Sequence, residues 1–289
     1  MNVKFRNNLS GSMSFKSFIP HKIEDYELIE DEKSNHLIAE LHEVFAKLNH
    51  ELVSVQDDIA NALVVTEATD SWRLSENKPQ NPFALYSYGD NKNVESIVRA
   101  TDYGVSALVE LPLSSRLLRN IHYLICAGTD YDKKYRGEFR KSPVWIGAEG
   151  CEMADALFIP PVVDDMIDAI TDLENYINYS DNDVFVKAAI IHYQFEMIHP
   201  FIDANGRSGR LLNNLFLYEA GKLACPTLLL SHIIGYSYKE YCETMQSVNE
   251  TSDINIWLRY YLTVLNESAN YTLNKLRDMN PRLIHAWRK

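Results

Sequence analysis

The sequence predicts an all-α protein, mainly helical, with one small β-hairpin. Three observations lead there. Apolar residues recur at helical spacing over most of the chain, as in Leu37, Leu41, Val44, Phe45 and Leu48. Glycine is sparse, at 11 of 289 residues, so long segments run without a break. Only one block, Tyr131 to Pro161, combines turn residues with aromatic and β-branched ones.

Taken in order, residues 1 to about 30 read as an extended lead-in with Gly11, Pro20 and an acidic stretch. A first helix starts near Ser34, and a second pattern runs from about Leu52 to Trp72 through Val55, Ile59, Leu63, Thr66 and Thr69. Residues 77–92 hold Pro79, Pro82, Gly89 and several Asn, and read as loop. Helices are expected at about 93–109, 114–127 and 162–178. Before the last of these, Gly137-Glu138-Phe139-Arg140 and Pro143-Val144-Trp145-Ile146-Gly147 read as the two sides of the hairpin. Helices resume at about 184–198, 207–220, 237–248 and 253–278. The chain divides on this reading into an N-terminal helical region, 1–92, a core, 93–222, and C-terminal helices, 223–289, that pack on the core.

Composition narrows the function. Hydrophobic residues make up 46% of the chain, enough for a substantial core. A net charge of -12 and a pI near 5.2 argue against a general nucleic-acid binder, which needs a basic face. Cys126, Cys151, Cys225 and Cys242 lack metal-ligand spacing. His192 and His199 are seven apart, but no Glu completes a zinc-protease pattern, and neither a P-loop nor a dinucleotide fingerprint is present. No export signal precedes the first helix and no apolar run reaches the ~18 residues of a membrane span. The expectation is a reduced, cytoplasmic protein that engages neither membrane nor nucleic acid.

The chemistry concentrates in His199-Pro200-Phe201-Ile202-Asp203-Ala204-Asn205-Gly206-Arg207-Ser208-Gly209-Arg210. Apolar runs flank it, so it reads as a loop with two small flexible glycines, leading into a helix N-terminus. Exposed N–H groups and the positive end of a helix dipole favour an anion there. Arg207 and Arg210 would share one face of the first turn. Two guanidinium groups suit a polyphosphate, Asp203 could hold a Mg²⁺ against it, and His199 could take a proton from an attacking hydroxyl.

This segment resembles the signature of the Fic family, His-x-Phe-x-(Asp/Glu)-Gly-Asn-Gly-Arg-x-x-Arg. Ala204 departs from it where Gly is commonest, and an ordinary backbone conformation is expected there. Arg99 to Gly104, Gly137 to Arg140, Val144 to Gly147, Phe158 to Pro161 and His192 to Glu196 also resemble the family, and about residues 35 to 270 can be matched.

The resemblance implies the mainly helical Fic fold with a flap at 137–147. It also implies transfer of AMP from ATP, with Mg²⁺, to a Ser, Thr or Tyr hydroxyl of a target protein. His199 would be the base and Asp203 the metal ligand. Asn205, Gly206 and Arg207 would form the anion hole, and Arg210 would meet the terminal phosphate. The stretch Asp203 to Arg210, with Ala204, Ser208 and Gly209, would surround the nucleotide. Tyr236 would contact adenine, and the flap residues Val144, Trp145, Ile146 and Gly147 would clamp the target.

Many members carry an inhibitory helix ending (Ser/Thr)-x-x-x-Glu-(Gly/Asn). The matching region here is about 52–77. Counting from Ser71 puts Ser75 at the Glu position, one residue before Glu76-Asn77. Either the helix slips by one residue and Glu76 reaches Arg210, or inhibition is lost. Glu76 is taken as the inhibitory residue. The alternatives are removal of AMP or use of another nucleotide, and a non-catalytic module regulated by ATP. No DNA-binding appendage is expected before Lys289. The sequence leaves the target unnamed and a homodimer open.

Overall fold

A computed structural model describes residues 4–10, 13–28, 31–75, 91–128, 135–148 and 150–279. Strand β1 (Lys4–Ser10) pairs antiparallel with β2 (Met13–Ile19). Helices follow as α1 (Glu32–Val53), α2 (Asp57–Ser75), α3 (Lys92–Ala107), α4 (Ser115–Ile125) and α5 (Val163–Tyr179). They continue as α6 (Val184–Ile198), α7 (Asn205–Glu219), α8 (Leu230–Tyr236), α9 (Tyr238–Thr251) and α10 (Ile254–Met279). Local chemistry sets several starts. The Asp31 carboxylate accepts from Ser34 N–H at 2.7 Å at the head of α1, and Asp183 accepts from Phe185 N–H at 2.8 Å at the head of α6.

The core is built around α6. Eleven of its fifteen residues are buried, so it is covered on every side, by α5, α7 and α10. The Trp257 indole on α10 donates to the Ala189 carbonyl of α6 at 2.8 Å. On one flank α2 packs against α3, α7 and α8. Two buried carboxylates fasten it. Glu67 accepts from the Ser231 N–H and hydroxyl at the start of α8, and Asp70 pairs with His232 Nδ1 at 3.1 Å. Detaching α2 would strand both carboxylates away from their partners.

Most helices lie within a few residues of the positions their periodicity predicts. The short α8 was not anticipated. The hairpin of the expected fold class is present, but at different residues. Residues 4–19 form it, where an extended lead-in was expected. The period-two alternation of Phe5, Asn7 and Leu9 with Lys4, Arg6 and Asn8 was the available signal.

Residues 137–147 contain no strand among the described residues. Ile146 makes an isolated antiparallel bridge with Phe158 instead. Arg140 cannot serve as its partner, because its N–H already donates to the Pro200 carbonyl at 2.9 Å. The hairpin lies against the far side of this bridge. Phe18 is buried beside Phe158, with ring centroids 5.6 Å apart, and its N–H donates to Ile159 O at 2.9 Å.

Candidate active site

The end of α6 places His199. This residue adopts a left-handed conformation, φ 48 and ψ 61, and Pro200 prevents the helix from continuing. Such a conformation costs a non-glycine residue roughly 1 kcal/mol. Arg140 holds it. Its guanidinium, 2% exposed, donates to His199 O at 2.8 Å, Ile198 O at 3.2 Å and Pro161 O at 2.5 Å. Burial lowers its pKa to about 10, which leaves a cation at neutral pH against the negative end of α6.

The His199 imidazole lines the cleft. Its Nδ1 lies 3.4 Å from Glu196 O, a long hydrogen bond when Nδ1 carries the proton, and Nε2 is then free to accept. Burial lowers its pKa to about 4, the Arg140 cation adds to this, and the Glu196 carbonyl and Asp203 oppose it. At neutral pH the ring is an uncharged base.

After Phe201 the chain turns into α7. Ala204 takes φ 59 and ψ 18, so the ordinary conformation expected for it is not found. The reversal between two buried helices forces a left-handed residue at this point. Asn205 closes the turn. Its Oδ1 accepts from Phe201 N–H and its Nδ2 donates to Phe201 O, both at 2.9 Å. This carboxamide is therefore occupied by the loop itself.

No side chain caps α7, and Asn205, Gly206 and Arg207 of its first turn line the cleft. Arg207 Nη2 pairs with Asp203 Oδ2 at 3.1 Å. Arg210, 6% exposed, donates to Ser71 Oγ at 3.0 Å, Ser71 O at 2.8 Å and Ser75 Oγ at 3.1 Å, all on α2.

Gly206 and Gly209 lie inside α7 rather than in a flexible loop. A Cβ on Gly206 would sit 2.9 Å from Arg210 Nη1, and one on Gly209 would collide with Glu196 and the Phe195 ring. The glycines make room. Burial raises the Glu196 carboxyl to about 7, against the opposing Arg210 charge, and its Oε1 has no hydrogen-bond partner among the described residues.

These groups share one cleft of about 1350 Å³. His199, Asp203, Ala204, Asn205, Gly206, Arg207 and Arg210 line it, together with Trp145, Ile146 and Gly147. Val144, Ser208, Gly209 and Tyr236 do not. Tyr236 points outward, 64% exposed, and edges onto His232, because α8 turns it away, and Tyr238 and Tyr241 line the cleft instead. The hairpin adds a wall through Phe5, Asn7 and Lys16. Glu76 and Asn77 fall outside the described residues.

Among the described residues no three His, Cys, Asp or Glu side chains form a self-contained metal site. Asp203 fits a Mg²⁺, which takes one or two carboxylates and completes its shell from phosphate oxygens and water. No described helix is long and apolar enough to cross a membrane.

Residues 112–217 match the family model described as Fic/DOC family. The chain carries a Fic/DOC-family domain. Curated relatives include the protein adenylyltransferase Fic of Aedes aegypti, 34% identical over 127 residues, which are 43% of this chain and 22% of the relative. The protein of the same name from Drosophila willistoni is 39% identical over 88 residues, 29% of this chain and 16% of the relative. The chain thus spans less than a quarter of the length of these relatives.

Among solved structures, a Fic family protein from Desulfovibrio desulfuricans G20 superposes with a TM-score of 0.70 at 18% identity, covering 88% of this chain and 78% of that one. A Fic-domain signaling protein from Bacteroides thetaiotaomicron gives 0.60 at 17% identity, covering 84% and 97%. At these identities the structures establish the Fic fold.

Sequence reasoning missed five contributors to the Fic site. Ser71 and Ser75 hold Arg210, Glu196 lies beside it, and Arg140 holds His199. The fifth is His122, which bonds to the Asp203 carbonyl. His122 sits one turn after Leu118 on the apolar stripe of α4, where sequence alone reads an ordinary core residue.

Proposed function

We propose that this chain transfers AMP from ATP to a Ser, Thr or Tyr hydroxyl of a target protein. The supporting observation is the uncapped start of α7, which opens into a cleft shared with Arg207, Arg210 and the neutral His199. Phosphates would bind the α7 amides and Arg207, with Arg210 toward the terminal phosphate. Mg²⁺ at Asp203 would neutralise phosphate charge. The target hydroxyl oxygen would attack the α-phosphorus while His199 Nε2 takes its proton. The bond from that phosphorus to the bridging oxygen breaks, and pyrophosphate leaves. Most of the acceleration in such a transfer comes from positioning and charge stabilisation.

The segment Trp145 to Gly147 lines the same cleft and would hold the target's extended chain by strand addition. The chain is also proposed to be autoinhibited. Arg210 is engaged by the last turn of α2, and Glu76 follows that turn directly in sequence. A Glu76→Gly variant is expected to modify itself with labelled ATP far more strongly than wild type, and equal labelling would remove Glu76 from the mechanism.

The decisive test of the activity is His199→Ala with α-³²P-ATP and a host lysate as target source. Labelling of protein should disappear while ATP binding, read by calorimetry, persists. A variant that labels as well as wild type rules His199 out as the base.

A further inference from the structure

Helix α4 carries His122 beneath the loop that follows His199. The side chain is 2% exposed. Its Nδ1 accepts from Gly137 N–H at 3.0 Å, which puts the ring proton on Nε2, and Nε2 then donates to the Asp203 carbonyl at 3.1 Å. The ring stacks on Phe201, with centroids 3.7 Å apart and planes 1° from parallel. Phe139 packs on the same Phe201 ring at 5.3 Å.

One turn earlier on α4, Arg119 Nε donates to Gly137 O at 2.9 Å. Both main-chain polar groups of Gly137 are therefore held by one helix. Gly137 has φ 74, and a Cβ there would lie 3.0 Å from Tyr123 Cβ and 3.2 Å from Arg119 O, so this position takes no side chain. Three residues on, Arg140 holds the carbonyl of His199.

We propose that His122 is a positioning residue that fixes Asp203 and the base of the flap segment to each other through a neutral imidazole. The inference rests on the reading of Asp203 as a Mg²⁺–phosphate ligand. The loop from Phe201 to Asp203 is held by a ring face and by a hydrogen bond, and Gly137 is held by the opposite nitrogen. Imidazole suits the task because it donates at one edge, accepts at the other and presents a flat face between them. Phe would keep the face alone, and Gln would keep the donor and acceptor alone.

The test compares wild type, His122→Phe and His122→Gln as full chains. Calorimetric titration with ATP is run with saturating Mg²⁺ and again with EDTA. Loss of a group that orients a metal ligand typically costs about 10–100-fold in metal-dependent affinity. His122→Phe should show that loss with Mg²⁺ and unchanged affinity with EDTA, and His122→Gln should fall between it and wild type. Wild-type affinity in His122→Phe overturns the proposal, and so does an equal fall under both conditions, which would mean general loosening.

Nitrogen-15 histidine spectra of the unliganded wild type give a readout that needs no ligand. Protonated Nε2 and unprotonated Nδ1 are expected on the imidazole whose signal vanishes in His122→Gln, and a protonated Nδ1 refutes the brace. If wild type binds no ATP under either condition, the nucleotide reading fails and the link to the metal fails with it. The tautomer signal separates that result from a failure of the brace.

Discussion

Replacing Asn205 with Ala tests whether its carboxamide builds the loop or touches the nucleotide. The side chain is 2% exposed and spends both polar atoms on Phe201, at 2.9 Å each. Alanine would leave a buried N–H and a buried carbonyl without partners, at roughly 1–3 kcal/mol apiece. The expected destabilisation is roughly 2–6 kcal/mol, a large share of the ~5–15 kcal/mol that separates folded from unfolded chains. At about 2 °C per kcal/mol, the melting temperature should fall by about 4–12 °C. Calorimetric melting and ATP titration on the same preparation check this, and ATP affinity should fall as the loop opens. If Asn205→Ala melts within about 1 °C of wild type yet loses ATP binding, the carboxamide contacts the nucleotide and the loop-closing argument is wrong.

Two further predictions concern stability. Ala204→Gly relieves a left-handed alanine, worth roughly 1–2 kcal/mol, but loosens the unfolded chain by about 0.4–1 kcal/mol. A net gain of up to about 1.6 kcal/mol is expected in urea unfolding, and a net loss would contradict the strain at φ 59. For pH, burial lowers His122, His192 and His199 to about 4, 3 and 4, below the ordinary 6.5. Their contribution is complete above about 6.5 and is lost as pH falls through that window, because the unfolded chain takes up protons first. Burial raises Glu67 and Glu196 to about 8 and 7, so theirs is present below about 4.5 and lost as pH rises through those values. Of these five groups only the two carboxyls titrate above 6.5, so their burial lowers stability between about pH 6.5 and 8. Urea midpoints that climb steadily from about pH 6.5 to 8 would contradict this.

The order of the longer helices was legible because most bury a stripe at helical spacing, and α6 announced itself as an apolar run without a breaker. The Fic domain was legible for a different reason. Its cation pair, carboxylate and imidazole fall within twelve consecutive residues, close enough for local geometry to bring them together. The hairpin was hidden because its alternation is short and mostly polar, and because the 137–147 segment has equally good strand residues. What withheld pairing there was the capture of Arg140 by the motif loop, a contact about 60 residues away in sequence.

The sequence by itself therefore determined the helical scaffold and the set of reactive groups at the cleft. Tertiary structure decided how those groups are used. It made Ala204 left-handed, turned Tyr236 outward, spent Asn205 on the loop and set Gly206 and Gly209 inside a helix as clearance. It also recruited Ser71, Ser75, His122 and Arg140 from distant segments to hold Arg210, Asp203 and His199. The physical reason is one of range. Periodicity and spacing encode interactions within a few turns of chain, whereas orientation, burial and hydrogen-bond partners are fixed only when separate elements pack.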